Sequence, residues 1–216
     1  MKGIHFMGKN NKQIGAMDHK ETYQTIINTA QRLFMELGYR AVSTRKIAQI
    51  CGVTQPAIYH HFKNKQTLYV AVMRQTLHHT EADLKAILAE FTSFQERFTQ
   101  IAIYMMIHFE IDMAQMFHDI SHELGPDDQQ LIHQWWMEGF LMPVVKMIND
   151  GILEEEIKNP ALLNTNSTEL AYLILNIIKS ILQPETTAKL SKKQRLTMAE
   201  EKAKLMVEIF INGIRA

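Results

Sequence analysis

Between Ser43 and Lys65 the chain reads STRKIAQICGVTQPAIYHHFKNK, and many of its side chains are poor choices for simple packing. Gln55, Tyr59, His60 and His61 carry donors and acceptors, Arg45 and Lys65 carry charge, and Pro56 and Ala57 are small and apolar. These groups suit reading the edges of stacked bases. A Gln amide pairs bidentately with adenine, an Arg guanidinium does the same with guanine, and small apolar groups sit against a thymine methyl. Tyr59, His61 and Lys65 suit phosphate oxygens. Lys65 also falls where a helix N-terminus already attracts an anion.

Bond-breaking chemistry finds little here. There is no Gly-rich phosphate loop and no Gly-x-Ser-x-Gly elbow, and Cys51 lies in no nucleophile signature. The carboxylate run Glu154-Glu155-Glu156 lies beside a turn and reads as solvated. His118 and His122 are four apart, with Asp119 and Glu123 adjacent and His108 and Glu110 upstream, so two imidazoles could share an ion. Such pairs on amphipathic helices are mostly packing or surface residues. No metal or other cofactor is therefore expected, and no enzymatic activity. A helical dimer that binds only protein is the stronger rival to a DNA reader.

A helix-turn-helix must hold such polar residues outward while its other face packs. Tyr23, Ile26, Ile27, Ala30, Leu33, Phe34 and Leu37 follow a 3-4 spacing, one face of a helix from His19 to Leu37. Gly38 ends it; Ser43 or Thr44 caps a short helix to about Ile50. Gly52 supplies a turn, Thr54 a second cap, and Pro56 is tolerated in a first helical turn. Ile58 and Phe62 then pack on Ile47 and Ala48, leaving Gln55, Pro56, Tyr59 and His60 outward. Asn64 caps a fourth, longer helix through Leu68, Val72, Leu77, Leu84 and Leu88 to about Glu90.

Charge is split along the chain. Residues 1–75 hold 11 Lys/Arg against 3 Asp/Glu, and residues 76–216 hold 12 against 20, so a neutral total conceals a basic third and an acidic remainder. A basic segment points to an anionic partner. With 46% hydrophobic residues and nine Gly among 216, the chain reads as a folded, all-α protein. No apolar run approaches the length of a membrane span, and the first residues lack the apolar centre of a signal peptide. With one cysteine and no possible intrachain disulfide, the expected compartment is the cytoplasm.

The stretch AQRLFMELGYRAVSTRKIAQICGVTQPAIYHHFKNKQTLY, within residues 20–75, strongly resembles the tetracycline-repressor (TetR) family of bacterial transcription regulators. Leu33-Phe34, Gly38-Tyr39, Ile47-Ala48, Gly52-Val53, Tyr59, Phe62, Lys65 and Leu68 are all in the family's register. The resemblance covers about a quarter of the chain. It implies base-edge contacts from Arg45, Gln55 and Pro56, and backbone contacts from Thr44, Tyr59, His61 and Lys65. Thr54, Ala57 and His60 complete the candidate DNA-binding set. It also implies a homodimer on a pseudo-palindromic operator, most often as a repressor, released by a small effector.

Beyond about residue 90 the resemblance fades. Segments 93–112, 113–124, 127–151 and 166–183 read as helices, and STELAYLILNIIKSILQ and AEEKAKLMVEIFINGIRA are apolar on broad faces. Faces that broad need a partner beyond their own domain, and the family places its dimer interface in the last two helices. The expected division is a disordered, basic N-terminal arm at 1–17, a DNA-binding unit at 18–65 and a ligand-binding and dimerisation unit at 66–216. The arm has three Lys and no acid; it either reaches DNA or is an upstream start, with Met17 the initiator. Met and aromatic residues between 97 and 148 suit a small hydrophobic effector, with Tyr104, Met105, His108, Phe109, Trp135 and Phe140 as candidate contacts.

Overall fold

The protein is described by a computed structural model over residues 19–108, 113–181 and 190–214, the side chains of 113–115, 181, 213 and 214 excepted. The arm at 1–17 and the candidate Phe109 lie outside the described residues. Helix α1, His19–Ala41, buries Ile26, Ile27, Ala30, Leu33 and Phe34 along one stripe. Tyr23 and Leu37 share the spacing but remain exposed toward its two ends. Gly38 adopts φ 76°, ψ 162°, a region essentially reserved for glycine, so the helix kinks there before its last turn at Tyr39–Ala41.

The next three helices are set by local caps. In α2, Thr44–Cys51, the Ser43 hydroxyl accepts from the Lys46 N–H, and left-handed Gly52 (φ 68°) closes the end. In α3, Gln55–His61, the Thr54 hydroxyl accepts from the Ala57 N–H and Pro56 occupies the first turn. In α4, Lys65–Glu90, Asn64 and Thr67 cap each other reciprocally. Ile47, Ala48, Ile58 and Phe62 meet the α1 stripe, so α2 and α3 each spend one face on packing.

This first core does not stop at residue 65. It runs up α4 through Leu68, Tyr69, Val72, Met73 and Leu77, and takes in Ile120, Leu124 and Ile132. Those last residues belong to α6, Met113–Glu123, and α7, Pro126–Trp136. A second core is built from the far half of α4, α5 (Phe94–His108), α8 (Met142–Leu153), α9 (Ser167–Ile181) and α10 (Lys192–Ile214). Helix α10 packs along α5, and α9 along α8. Among the described residues all regular structure is helical, and no helix is long and apolar enough to cross a membrane.

Two boundaries differ from the sequence expectation. The segment 127–151 is not one uniform helix: Met137–Leu141 widens into a π-helical stretch between α7 and α8. Pro143 cannot donate a backbone hydrogen bond, which removes the regular bond to Gly139. Gly139 in turn lets the stretch lie against α4, since an added Cβ would be 2.9 Å from the Leu77 carbonyl oxygen. The last helix begins at Lys192 rather than Ala199. Ser191 and Gln194 cap it reciprocally, with Ser191 N–H to Gln194 Oε1 at 2.9 Å and Gln194 N–H to Ser191 Oγ at 3.3 Å.

Candidate nucleic-acid interface and adjoining cavity

The outward face of α3 and the start of α2 form one surface. Arg45, Lys46, Pro56, Tyr59, His60 and Lys63 are exposed on it, and Gln55 and Ala57 are half-buried. Lys46 and Lys63 were not in the expected set; their exposure beside it adds two cations. Gln55 and Tyr59 are one helical turn apart, and both meet Thr44. The Thr44 hydroxyl accepts from Gln55 Nε2 at 2.9 Å and lies 3.2 Å from the Tyr59 hydroxyl. Thr44 itself is buried, and its side chain meets Gln55 and Tyr59 rather than reaching outward. Thr54 likewise serves as the cap of α3.

Lys65 departs most from what its position suggests. Its ammonium donates to the carbonyls of Tyr39 (2.9 Å) and Val42 (3.1 Å) and sits 3.9 Å from the Tyr39 ring centroid. Burial pushes its pKa below the usual lysine value, against the opposing pull of Glu123 and Asp119. Lys65 therefore ties α4 to the turn between α1 and α2. His61 is half-buried, with the His19 ring 4.2 Å and the Tyr23 ring 5.9 Å from its own. Burial, then the neighbouring His19 and His60, lower its pKa.

A cavity of about 760 Å³ lies between α4, α6 and α7. Met73, Leu77, Met116, Phe117, Ile120, Ile132 and Trp136 give it apolar walls; His118, Ser121, His122, Gln129, Gln130 and His133 add polar groups. The Trp136 indole N–H is buried without a hydrogen-bond partner, an unspent donor beside this space.

None of the five described ligand candidates lines this cavity. Met105 and Phe140 are buried in the second core. Tyr104 donates from its hydroxyl to Asp83 (3.0 Å) and stacks on His108. Burial first, with the Asp83 carboxylate adding to it against a Thr80 hydrogen bond, holds that phenol up at about 12. Trp135 faces a different concavity with Tyr23, Arg74 and Leu131. Adjacent residues on a helix point about 100° apart, so of two neighbouring tryptophans only Trp136 turns toward the cavity.

The cavity is joined to the DNA-facing unit through α6. Ile120, Ser121 and His122 line it, while Asp119 and Glu123 face the other way. Asp119, fully buried, accepts from the Tyr39 N–H at 2.8 Å, and Glu123 pairs with Arg40. Tyr39 is thus gripped by α6 through its N–H and by α4 through its carbonyl.

Comparison with known proteins places this arrangement. The family described as bacterial regulatory proteins, tetR family, matches residues 26–72. Over 67 residues the chain is 46% identical to the transposon Tn10 TetC protein of Escherichia coli, a span of 31% of this chain and 34% of that protein. The HTH-type transcriptional regulator TtgW of Pseudomonas putida is 30% identical over 118 residues, 55% of this chain and 85% of its own length. Among solved structures, FadR from Bacillus subtilis in complex with stearoyl-CoA has a TM-score of 0.66 at 18% identity, covering 86% of this chain and 97% of that one. At that identity the shared property is the fold.

Proposed function

This chain belongs to the TetR family of bacterial regulatory proteins, a transcription regulator and not an enzyme, and from that premise we propose that it is a ligand-released repressor. It binds a pseudo-palindromic operator as a homodimer. Arg45, Gln55 and Pro56 meet base edges, Ala57 and His60 lie near the groove, and Tyr59 and His61 meet the backbone. Thr44, Thr54 and Lys65 act mainly by positioning, since their side chains are engaged within the protein. What carries this is α3 itself: one face is buried on Ile47 and the α1 stripe, and the other offers a pre-aligned amide and phenol beside a basic surface.

One recognition helix reads only a few base pairs, so two copies about 34–36 Å apart are needed to occupy successive major grooves. The exposed apolar residues Tyr172 and Leu173 on α9 and Leu205 and Ile209 on α10 support dimerisation through the last two helices. Binding over a promoter excludes polymerase, and such a protein works in the cytoplasm. The effector is a small, mostly apolar molecule in the cavity beside Trp136. A ligand that wedges α6 from α4 and α7 pulls on Asp119 and Tyr39, shifting the population between DNA-competent and released states.

Selection of binding sites from random duplex DNA, at two salt concentrations, tests this. A recovered pseudo-palindrome whose binding weakens with salt is the expected outcome. No consensus, with salt-insensitive binding, would sink it and leave the protein-binding dimer.

A further inference from the structure

Among the described residues, one group of three metal-ligating side chains comes together: His19, His60 and His61, whose ligating nitrogens all lie within 4.8 Å of one another. They come from two elements distant in sequence, the first turn of α1 and the last turn of α3. Their ring centroids are 4.2 Å apart for His19–His61, 5.5 Å for His19–His60 and 5.7 Å for His60–His61. We propose that His19, His60 and His61 bind one divalent transition-metal ion of the zinc class, which pins the start of α1 to the end of the DNA-reading helix.

Three features carry the assignment. Zinc–imidazole bonds of about 2.0–2.1 Å in a tetrahedral arrangement put ligand nitrogens roughly 3.3 Å apart. His19 and His60 are exposed side chains at helix ends, so modest rotation of their rings closes the gap from the observed spacing. His61 is the fixed member, half-buried with its ring beside those of Tyr23 and Phe62. Third, the donor set selects the metal: three imidazoles and no carboxylate in the group favour zinc, nickel, copper or cobalt over magnesium or calcium. Three protein ligands leave a fourth position open to water.

The other His pair, His118 and His122, is built differently. Their rings stack at 4.1 Å, and His122 Nδ1 lies 2.8 Å from both the His118 carbonyl and the Ser121 hydroxyl. That pair supplies an internal control.

The test is a calorimetric titration of zinc chloride into full-length protein without an affinity tag, repeated with magnesium chloride. One zinc per chain is expected, with no magnesium binding, and zinc should raise the unfolding temperature. His19→Ala and His61→Ala should each weaken zinc at least as much as losing an outer-shell partner does, about 10-fold or more. The double variant His118→Ala/His122→Ala should bind as the wild type does. Cobalt should give a visible absorption band that disappears in His19→Ala. His19 is exposed, so His19→Ala is expected to keep the wild-type melting temperature in the absence of metal, which separates lost binding from lost folding. Absence of zinc binding, or zinc binding that survives His19→Ala and His61→Ala, would overturn the proposal. The titration contains no DNA, so its failure and the failure of operator binding are separate results.

Discussion

The backbone N–H of Tyr39 donates to the carboxylate of Asp119 over 2.8 Å, joining the end of α1 to α6 across 80 residues of sequence. The bond is buried and one partner is a carboxylate, so it belongs to the stronger class of protein hydrogen bonds. It also leaves α6 with two faces of different purpose, one toward the cavity and one toward the DNA-facing unit. Asp119→Ala orphans a buried N–H and is expected to lower stability by about 1–3 kcal/mol. Asp119→Asn keeps a carbonyl acceptor in the same volume and should lose less. Urea denaturation checks both, with the midpoint moving and the slope constant. Equal losses from the two variants would show that charge or packing, not this bond, is what Asp119 supplies.

The Thr44 hydroxyl holds Gln55 and Tyr59 before any DNA arrives. Thr44→Val keeps the shape and deletes the hydroxyl, so operator affinity should fall by about 1 kcal/mol, roughly fivefold, while Thr44→Ser stays close to wild type. Gln55→Ala and Arg45→Ala should each relax discrimination at one base pair per half-site by about 1–3 kcal/mol. Lys46→Ala should weaken all sequences alike and reduce the salt slope by about 1. Fluorescence anisotropy on the selected operator and on single-base variants separates these outcomes. A sequence-specific effect of Lys46→Ala would place it at a base rather than at a phosphate.

Much of the helix-turn-helix was legible because its instructions are local. Ser43, Gly52, Thr54 and Asn64 each act within three or four residues of themselves, and each caps or closes the helix its sequence position suggests. What escaped was decided at long range. Lys65 reads as a phosphate ligand from its position, and the structure adds bonds from its ammonium to the Tyr39 and Val42 carbonyls, 26 and 23 residues away. Trp135 and Trp136 are equivalent on paper, and only packing against Tyr172 and Phe140 determines which one borders the cavity. The His19 partnership with His60 and His61 depends on how α1 lies across α3, which no spacing reveals. The start of α10 was readable in Ser191 and Gln194, a capping pair that apolar periodicity alone passes over.

Gly139 sits where the π-helical stretch crosses α4. A Cβ there would be 2.9 Å from the Leu77 carbonyl oxygen and 3.2 Å from the Glu81 Cβ. A backbone carbonyl cannot rotate aside as a side chain can, so α4 or the stretch must move. Gly139→Ala is expected to cost about 1–3 kcal/mol despite adding only a methyl group. Thermal and urea unfolding measure the loss. An unchanged stability would mean that the stretch slides on α4 without penalty.

Leu205 and Ile209 are four residues apart on α10 and 55% and 65% exposed, one outward apolar face on a helix whose other face holds Ala203, Met206 and Val207 in the core. Exposure of that size at neighbouring positions, with Tyr172 and Leu173 likewise open on α9, is costly in a monomer and would be removed if a second copy paired there, as proposed. The double variant Leu205→Glu/Ile209→Glu places two like charges on that face. Because both side chains point away from the core, the variant should keep its helical circular dichroism while sedimenting as a monomer. Operator affinity should then collapse, since each monomer holds only one half-site and the second helix is no longer delivered to the next groove. Wild-type protein that already sediments as a monomer, or a variant that remains a dimer, would place the contact elsewhere. A monomeric variant with undiminished operator affinity would instead remove the need for a dimer from the mechanism.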